Sequence, residues 1–565
     1  MTRPHSKTRA IALIACAFSC LVPLSAADQD SELEQLKQML ADQQRQINEL
    51  RHALEQKDAA ASAAPVTPLP SLGQVASAVP VLPPAPTPLP APVASPAPLP
   101  AQANPATTSS NPCDAAPDNN AVPAYIRIGS TCIIPIGFMD LTAVWRDKNA
   151  GSSIGSNFGG VPFNNTAAAK NSEFRFSPQN SRIGFRVDGD WKGTHFIGYN
   201  EFDFLGTSAS TALTVTNGAF VPRLRLFWID ARKGKIEFLA GQSWSMLTPN
   251  RSGISALPGN LFYSQVMDVN YMAGLTWTRQ PGMRVLYHPN DKVTMGLSLE
   301  NPDQYIGGSA GGSGITLPTA LAGLAGSQLD NAPNQFVGPN TVLAVPTLHP
   351  DIIAKIAFDP TSRLHIDIAG IERTFKIWNP NTTGLGAGLY STKAGAGGEV
   401  GINGEIFKNF RLISTNYWSD GGGRYLFGQA PDLVVRADGS LSLVHSGGTV
   451  DGFEAKATNN LLLFAYYGGI YIGRDAAFDA NGTTKIGYGY PGSPNSQNRA
   501  IQEFTFGFNQ TLWASPRYGA INAIGQYEYL ERAPWYVAAH SPRDTHDNTV
   551  YFDIRYTLPG GIPTF

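Results

Sequence analysis

Apolar and polar residues alternate one by one along most of the chain after residue 124, most clearly in residues 551–558. There Phe552 and Ile554 fall on one face, and Asp553 and Arg555 fall on the other. A period of two predicts β-strands with one apolar face. About seventeen such segments follow one another, and closed bacterial barrels have even strand numbers. We therefore predict an all-β fold, an antiparallel transmembrane β-barrel over residues 124–565, with sixteen strands or, alternatively, eighteen.

The connections between these segments alternate between short and long. Tight polar turns are predicted at residues 232–234, 289–291 and 359–361, and long stretches rich in Gly, Asn and Ser at residues 148–170, 303–347 and 476–498. This asymmetry is typical of outer-membrane barrels, in which the long connections are extracellular. We expect the long stretches to be extracellular loops or to fold into the lumen.

A secretory signal is predicted at residues 1–27. Arg3, Lys7 and Arg9 precede an apolar run, and Ser25 and Ala27 provide a small-x-small cleavage pattern. A lipobox that ends at Cys16 is the alternative, but the apolar run before it is short. Either pattern indicates export to an oxidising compartment.

Residues 28–58 are predicted to form a trimeric coiled coil in the periplasm. Apolar positions with one polar exception recur at the 3-4 spacing of a heptad seam: Leu33, Leu36, Leu40, Gln43, Ile47, Leu50 and Leu54. Three heptads are marginal alone, so the helix should form by association. An amphipathic helix packed on its own barrel is the alternative, which the narrow seam disfavours.

Residues 59–123 are predicted to be a disordered, Pro-rich tether. No charged residue occurs from Ala59 to Cys113, and fourteen prolines fall between Pro65 and Pro105. Such a segment cannot form a core and favours extended polyproline II. We expect a passive spacer, with peptidoglycan as a further candidate partner.

The charge of the chain argues against a nucleic-acid-binding protein, and its hydropathy is compatible with a β-barrel. The formal net charge is −2, and the chain has no basic segment of the kind that binds nucleic acid. Mean hydropathy is −0.13, as expected where apolar residues take every second position.

Of four cysteines, Cys113 and Cys132 lie outside the signal, and we predict a disulfide between them, with two free thiols as the alternative. No metal site or cofactor is predicted.

Arginines are expected to line the lumen. In residues 182–187 the apolar side chains define the outer face, which directs Arg182 and Arg186 inward; the same rule directs Arg223 and Arg225 inward, and Leu224 and Leu226 toward lipid. Rings of Arg favour anion passage, and the guanidinium fork suits carboxylates. The alternative is internal pairing with acids, for which the candidates are Glu201, Asp203 and Asp230.

Short motifs in this region resemble a known family. Residues 181–186 (SRIGFR) resemble the second-strand signature of general porins, and residues 223–226 and 239–244 resemble the paired strands that follow it. The coiled coil and tether narrow the resemblance to DcaP-like trimeric outer-membrane channels. The resemblance implies a sixteen-stranded homotrimeric channel for small anionic solutes, dicarboxylic and aromatic acids among them.

A constriction is expected at residues 249–268, which carry Arg251 and lack strand alternation. A porin loop near this position folds inward; an ordinary surface loop is the alternative. Arg251 and the inward Arg555 complete the predicted pore-lining set.

The sequence therefore predicts an outer-membrane channel for small anions, in contact with membrane lipid and lipopolysaccharide. A sugar-specific porin with an N-terminal coiled coil and a structural envelope tether remain as alternatives. A sugar channel needs lumen aromatics, whereas Phe504, Phe506 and Phe508 alternate as a lipid face would. An enzyme is not expected, because the histidines lie in no recognisable catalytic motif.

Overall fold

The computed structural model describes Arg45, Asn48 and residues 122–206, 220–261, 265–307, 314–325, 327–331, 346–379 and 388–561. The predicted signal and tether lie outside the described residues, apart from 122 and 123. The predicted coiled coil does as well, except that Arg45 and Asn48 within it are helical. These three segments therefore stay predictions, and the following concerns residues 122–561.

The described chain after residue 122 consists mainly of β-strands. In chain order they are β1 (Ile126–Ile128), β2 (Thr131–Arg146), β3 (Glu173–Ser177), β4 (Arg182–Trp191), β5 (Thr194–Gly206), β6 (Val221–Lys233), β7 (Ile236–Trp244), β8 (Arg279–Asn290), β9 (Val293–Glu300), β10 (Asp351–Thr361), β11 (Leu364–Asn379), β12 (Leu389–Phe407), β13 (Phe410–Asp420), β14 (Leu433–Val435), β15 (Leu441–Leu443), β16 (His445–Lys456), β17 (Leu461–Ile472), β18 (Asp475–Phe478), β19 (Lys485–Tyr488), β20 (Asn498–Ser515), β21 (Gly519–Pro534) and β22 (Thr545–Thr557).

These strands close into one antiparallel barrel that has sixteen strand positions. Strands β3 and β4 both pair with β2, one after the other, and together they occupy one strand position of the barrel. Closure comes from β2 and β22, which pair from Phe138↔Thr557 to Arg146↔Thr549. The hairpins β14–β15 and β18–β19 lie in loops, and β1 only extends the edge of β2. The prediction of an all-β barrel with sixteen strands is confirmed.

The two faces of the wall follow the predicted alternation. On β22, Phe552 and Ile554 are 49% and 45% exposed, whereas Asp553 is fully buried. Phe504, Phe506 and Phe508 on β20 are likewise on the outer face. Apolar side chains outside and polar ones inside suit a wall with lipid on one side and a polar lumen on the other.

Short turns and long connections lie at opposite ends of the barrel, here called the turn end and the loop end. The turn end has connections such as Lys192–Gly193 and Asp291–Lys292, and the loop end has residues 147–172, 245–278, 421–444 and 473–497. The helical turns are the 3-10 segments Phe158–Gly160, Ala168–Lys170, Pro258–Asn260, Thr319–Leu324, Gly423–Tyr425 and Pro559–Gly561. No helix among the described residues has the length and apolar character needed to cross a membrane.

Candidate functional site: the barrel lumen

Residues 245–278, which connect β7 to β8, run through the interior of the barrel and are here called the inner loop. The backbone N–H of Asn250 donates to Asp367 Oδ2 of β11 at 3.0 Å, and that of Ala273 donates to Glu503 Oε2 of β20 at 2.8 Å. The loop therefore reaches strands far from the pair it joins. The prediction that residues 249–268 fold inward is confirmed for the described residues, which exclude 262–264; that this segment is the constriction of the pore stays a prediction.

Close packing against the far wall depends on a glycine. Gly274 has φ +89°, and a Cβ there would lie 2.3 Å from Thr449 O of β16 and 2.5 Å from Gly469 O of β17. A larger residue at this position would collide with backbone that cannot move aside. The loop and the β16–β17 wall thus meet backbone to backbone.

Acidic and polar side chains of the wall hold the inner loop by its backbone. The loop N–H groups of Met246 and Gly253 donate to Glu300 Oε1 at 2.7 Å and Asp359 Oδ2 at 2.9 Å, and that of Met267 donates to Gln526. Buried N–H groups need acceptors, and an ionised carboxylate is a strong one. Strand carboxylates on the wall thus fix the path of the loop.

The opposite side of the lumen, on β4 and β6, is rich in arginine. Arg182, Arg186, Arg223 and Arg225 all point inward, as predicted. Each of them is paired: Arg186 Nη2 lies 2.6 Å from Asp188 Oδ1, Arg223 Nη2 lies 2.7 Å from Asp203 Oδ2, and Arg182 Nη1 lies 3.8 Å from Glu201 Oε1. Pairing with neighbouring acids, the alternative left open by the sequence, therefore describes these arginines; Glu201 and Asp203 are partners as expected, and Asp188 rather than Asp230 is the third.

Arg225 is the most enclosed member of the set. Its side chain is 2% exposed, with Nε 2.8 Å from Glu201 Oε1 and Nη1 2.6 Å from Asp203 Oδ2. Arg279, the first residue of β8, is also buried, and its positive charge attracts the carboxylate of Asp203. Around Glu201 and Asp203, therefore, the guanidinium groups of Arg182, Arg223, Arg225 and Arg279 outnumber the two carboxylates.

The prediction that Leu226 faces lipid is wrong. Glu201 of β5 pairs with Leu226 and Phe202 pairs with Leu224, so Arg225 is an extra residue in a β-bulge. An extra residue shifts the alternation by one position. Leu224 stays on the outer face at 43% exposed, whereas Leu226 turns inward and is fully buried.

The two remaining predicted pore residues are also inside the barrel and also paired. Arg251 of the inner loop makes a two-pronged contact with Glu454 of β16, at 3.0 Å and 2.6 Å. Arg555 of β22 lies 3.0 Å from Asp140 Oδ2 and 3.1 Å from Asp553 Oδ2. Arg251 lies apart from the arginine group on β4 and β6, whereas Arg555 adjoins it: Arg555 and Arg182 lie over the same Phe138 ring, 4.0 Å and 5.0 Å from its centroid.

An aromatic cluster that the sequence pattern did not indicate lies beside Arg225 and Arg279. Tyr271 and Trp277 of the inner loop meet Trp244 of β7 edge to face, with ring centroids 5.8 Å and 5.5 Å from that of Trp244. Trp277 stacks on Phe427 of the loop 421–444 at 4.7 Å. Arg225 and Arg279 lie over the Trp244 ring at 5.7 Å and 5.4 Å. Strand alternation could not predict this cluster because most of its members lie in loops.

At the loop end, ion pairs tie the long connections to the barrel. Arg373 of β11 contacts Asp351 Oδ2 at 3.0 Å and Asp432 Oδ2 at 2.9 Å, and Arg424 Nη1 lies 3.6 Å from Asp303 Oδ2. Burial raises the pKa of Asp432 to about 6. Burial, with the nearby Asp330 carboxylate, raises the pKa of Asp303 to about 7. This group, here called the loop-end knot, holds more acids than bases.

Cys132 lies near the turn end, is fully buried and is disulfide-bonded. Its predicted partner, Cys113, lies outside the described residues, so the pairing stays a prediction.

Comparisons with known proteins show that the fold of this barrel is similar to that of a solved outer-membrane channel. No protein-family model and no curated protein sequence matches the chain. Among solved structures, the outer-membrane channel DcaP of Acinetobacter baumannii matches with a TM-score of 0.53 and 16% identity, over 77% of this chain and all of DcaP. An anion-selective porin from Comamonas acidovorans matches with a TM-score of 0.40 and 12% identity, over 76% and 99% of the two chains. OmpF of Salmonella typhi matches with a TM-score of 0.40 and 11% identity, over 77% and 99%. The resemblance to DcaP-like channels that the sequence motifs indicated is thus confirmed at the level of fold.

Proposed function

We propose that this protein is an outer-membrane channel through which small anionic solutes, dicarboxylic or aromatic acids among them, diffuse. A barrel with an apolar outside and a polar inside supports a channel in contact with membrane lipid and lipopolysaccharide. It carries solutes rather than catalysing a reaction. We further propose that it works as a homotrimer, with residues 28–58 associating in the periplasm.

The excess of guanidinium groups around Glu201 and Asp203 is the observation that carries the anion preference. Four arginines surround two carboxylates there, so positive charge exceeds negative charge at this place on the lumen wall, although Asp140, which also attracts Arg182, offsets part of the excess. A wall of low dielectric constant strengthens the field of such a charge on a passing ion. The carboxylates close to these arginines make this preference weaker than that of four arginines with no acid nearby.

A sugar-specific channel is the second candidate, and the buried aromatic rings favour it. Besides Trp244, Tyr271 and Trp277, a stacked pair formed by Tyr199 and Trp228 lies on the inner face, with centroids 5.2 Å apart. Flat rings provide stacking surfaces for sugar rings. However, Trp244 and Trp277 pack against each other in a closed cluster, which leaves little ring face for a sugar.

Swelling of liposomes that contain the purified full chain distinguishes the two candidates. The proposal predicts faster entry of succinate than of a neutral sugar of similar mass, such as erythrose, because only the carboxylate gains from the positive wall. Empty liposomes correct for leakage. Equal or faster entry of the sugar would contradict anion transport, and no entry of either solute would contradict a channel.

A further inference from the structure

Tyr271 of the inner loop is held in an unusual backbone conformation. Its φ is +64°, in the left-handed region that residues other than glycine rarely adopt. The side chain is 6% exposed, and its ring meets the rings of Trp244 and Trp277 edge to face. Strained residues of this kind persist where surrounding contacts hold them, and they concentrate at functional sites.

Both the backbone and the side chain of Tyr271 are held: its N–H donates to Asp268 O at 3.0 Å, and its hydroxyl contacts two arginines. Its oxygen accepts a hydrogen bond from Arg225 Nη2 at 3.0 Å and lies 3.3 Å from Arg182 Nη2. The other donors of Arg225 named above point at carboxylates, Nε at Glu201 and Nη1 at Asp203. On this guanidinium the phenol oxygen therefore takes a position equivalent to that of a carboxylate oxygen.

We propose that Tyr271 occupies the binding position of a solute carboxylate, and that anionic solutes bind by displacing its hydroxyl from Arg182 and Arg225. This inference deepens the proposed function and rests on it. A neutral phenol is a weaker partner for a guanidinium than a carboxylate, whose hydrogen bonds are charge-assisted.

Because a solute must displace the Tyr271 hydroxyl, the site discriminates between solutes more strongly than the same arginines would without the tyrosine. A neutral solute cannot compete for the two guanidiniums, so Tyr271 stays in place and the inner loop keeps its path. A carboxylate can compete, and its binding frees the Tyr271 side chain. Tyr271 is thus a specificity-determining residue of the lumen, and Arg182 and Arg225 are the groups that contact the solute.

The test compares two Tyr→Phe variants of the full chain. Tyr271→Phe keeps the ring between the tryptophans and removes the competing oxygen. Tyr466→Phe is the matched control: the Tyr466 hydroxyl also holds the inner loop, accepting from Gln265 N at 3.1 Å and donating to Glu454 at 2.7 Å, but it contacts no arginine of the β4–β6 wall. Succinate affinity is measured from concentration-dependent block of single-channel current in planar bilayers.

Removing the competing hydroxyl should raise the succinate affinity of Tyr271→Phe by about threefold to tenfold over the wild type. Tyr466→Phe should leave it unchanged. Tyr271→Gly, which also relieves the left-handed strain, should raise the affinity if Tyr271→Phe does not fold. Wild-type block with no gain in Tyr271→Phe or Tyr271→Gly would overturn the inference and leave the proposed function standing. A conducting wild type with no block by succinate and no anion preference would overturn both.

Discussion

One side of the lumen holds the inner loop by donating hydrogen bonds to it, and the other side holds it by accepting hydrogen bonds from it. On the β4–β6 side, guanidinium groups donate to an acceptor of the inner loop, the Tyr271 hydroxyl. On the far side, carboxylates such as Asp367 and Glu503 accept from its backbone N–H groups. The difference matters because a mobile anion can replace the tyrosine oxygen on the arginines, whereas it cannot replace a carboxylate that accepts from the backbone.

The comparison predicts that the carboxylate side anchors the loop and the arginine side selects the solute. The strongest test of this expectation is Glu454→Gln, which leaves the Arg251 cation buried without the carboxylate that it contacts through two nitrogens. Removing one member of a buried pair costs about 3–5 kcal/mol. We expect a markedly lower unfolding temperature, measured as loss of the heat-resistant band on gels.

Glu405→Gln is the matched control for that substitution. Glu405 lies 3.7 Å from Arg363, whose side chain is 64% exposed. An exposed pair of this kind contributes about 0–1 kcal/mol, so the unfolding temperature should hardly change. Equal losses in the two variants would mean that the carboxylate side does not anchor the inner loop.

A smaller effect is expected at the loop-end knot when the pH changes. The pKa values of Asp303 and Asp432, about 7 and about 6, lie above the ordinary value for an aspartate, so the folded knot binds protons more tightly than the opened one. Stability from these groups is therefore lost as the pH rises through 6 and 7, and present when it falls below about 4. Hydrogen exchange of residues 421–444 should be slower at pH 5 than at pH 8, after correction for the intrinsic rate.

Asp432→Asn removes one of the two titrating groups from the knot. We expect the corrected pH dependence of exchange to shrink in this variant. A wild type whose loop 421–444 becomes less protected on acidification would contradict the sign of the effect.

Strand alternation predicted the barrel well because one rule applies at nearly every position of a lipid-facing wall. It placed Arg182, Arg186, Arg223, Arg225 and Arg555 on the inner face correctly. It failed at Leu226, where a bulge at Arg225 shifts the register, because a bulge leaves no sign in the order of apolar and polar residues.

The chemistry of the lumen was harder to predict than its geometry. The sequence places Glu201 and Asp203 near the arginines, but which carboxylate meets which guanidinium depends on the register of β5 and β6. The inner loop has no periodicity, so nothing in its sequence brings Tyr271 to Arg225 or Trp277 to Phe427. Contacts between loops and walls are set by tertiary packing and remain outside what a pattern can indicate.

We propose that arginines of the β4–β6 wall set the selectivity of the channel, and the reversal potential of the full chain in a salt gradient tests this proposal most directly. We predict anion preference near 0.1 M salt that fades toward 1 M, because the Debye length falls from about 10 Å to about 3 Å. The Arg223→Gln, Arg225→Gln double variant should shift toward cations, since Glu201 and Asp203 lose partners. A wild type that prefers cations at low salt, or a folded double variant with unchanged selectivity, would contradict the account.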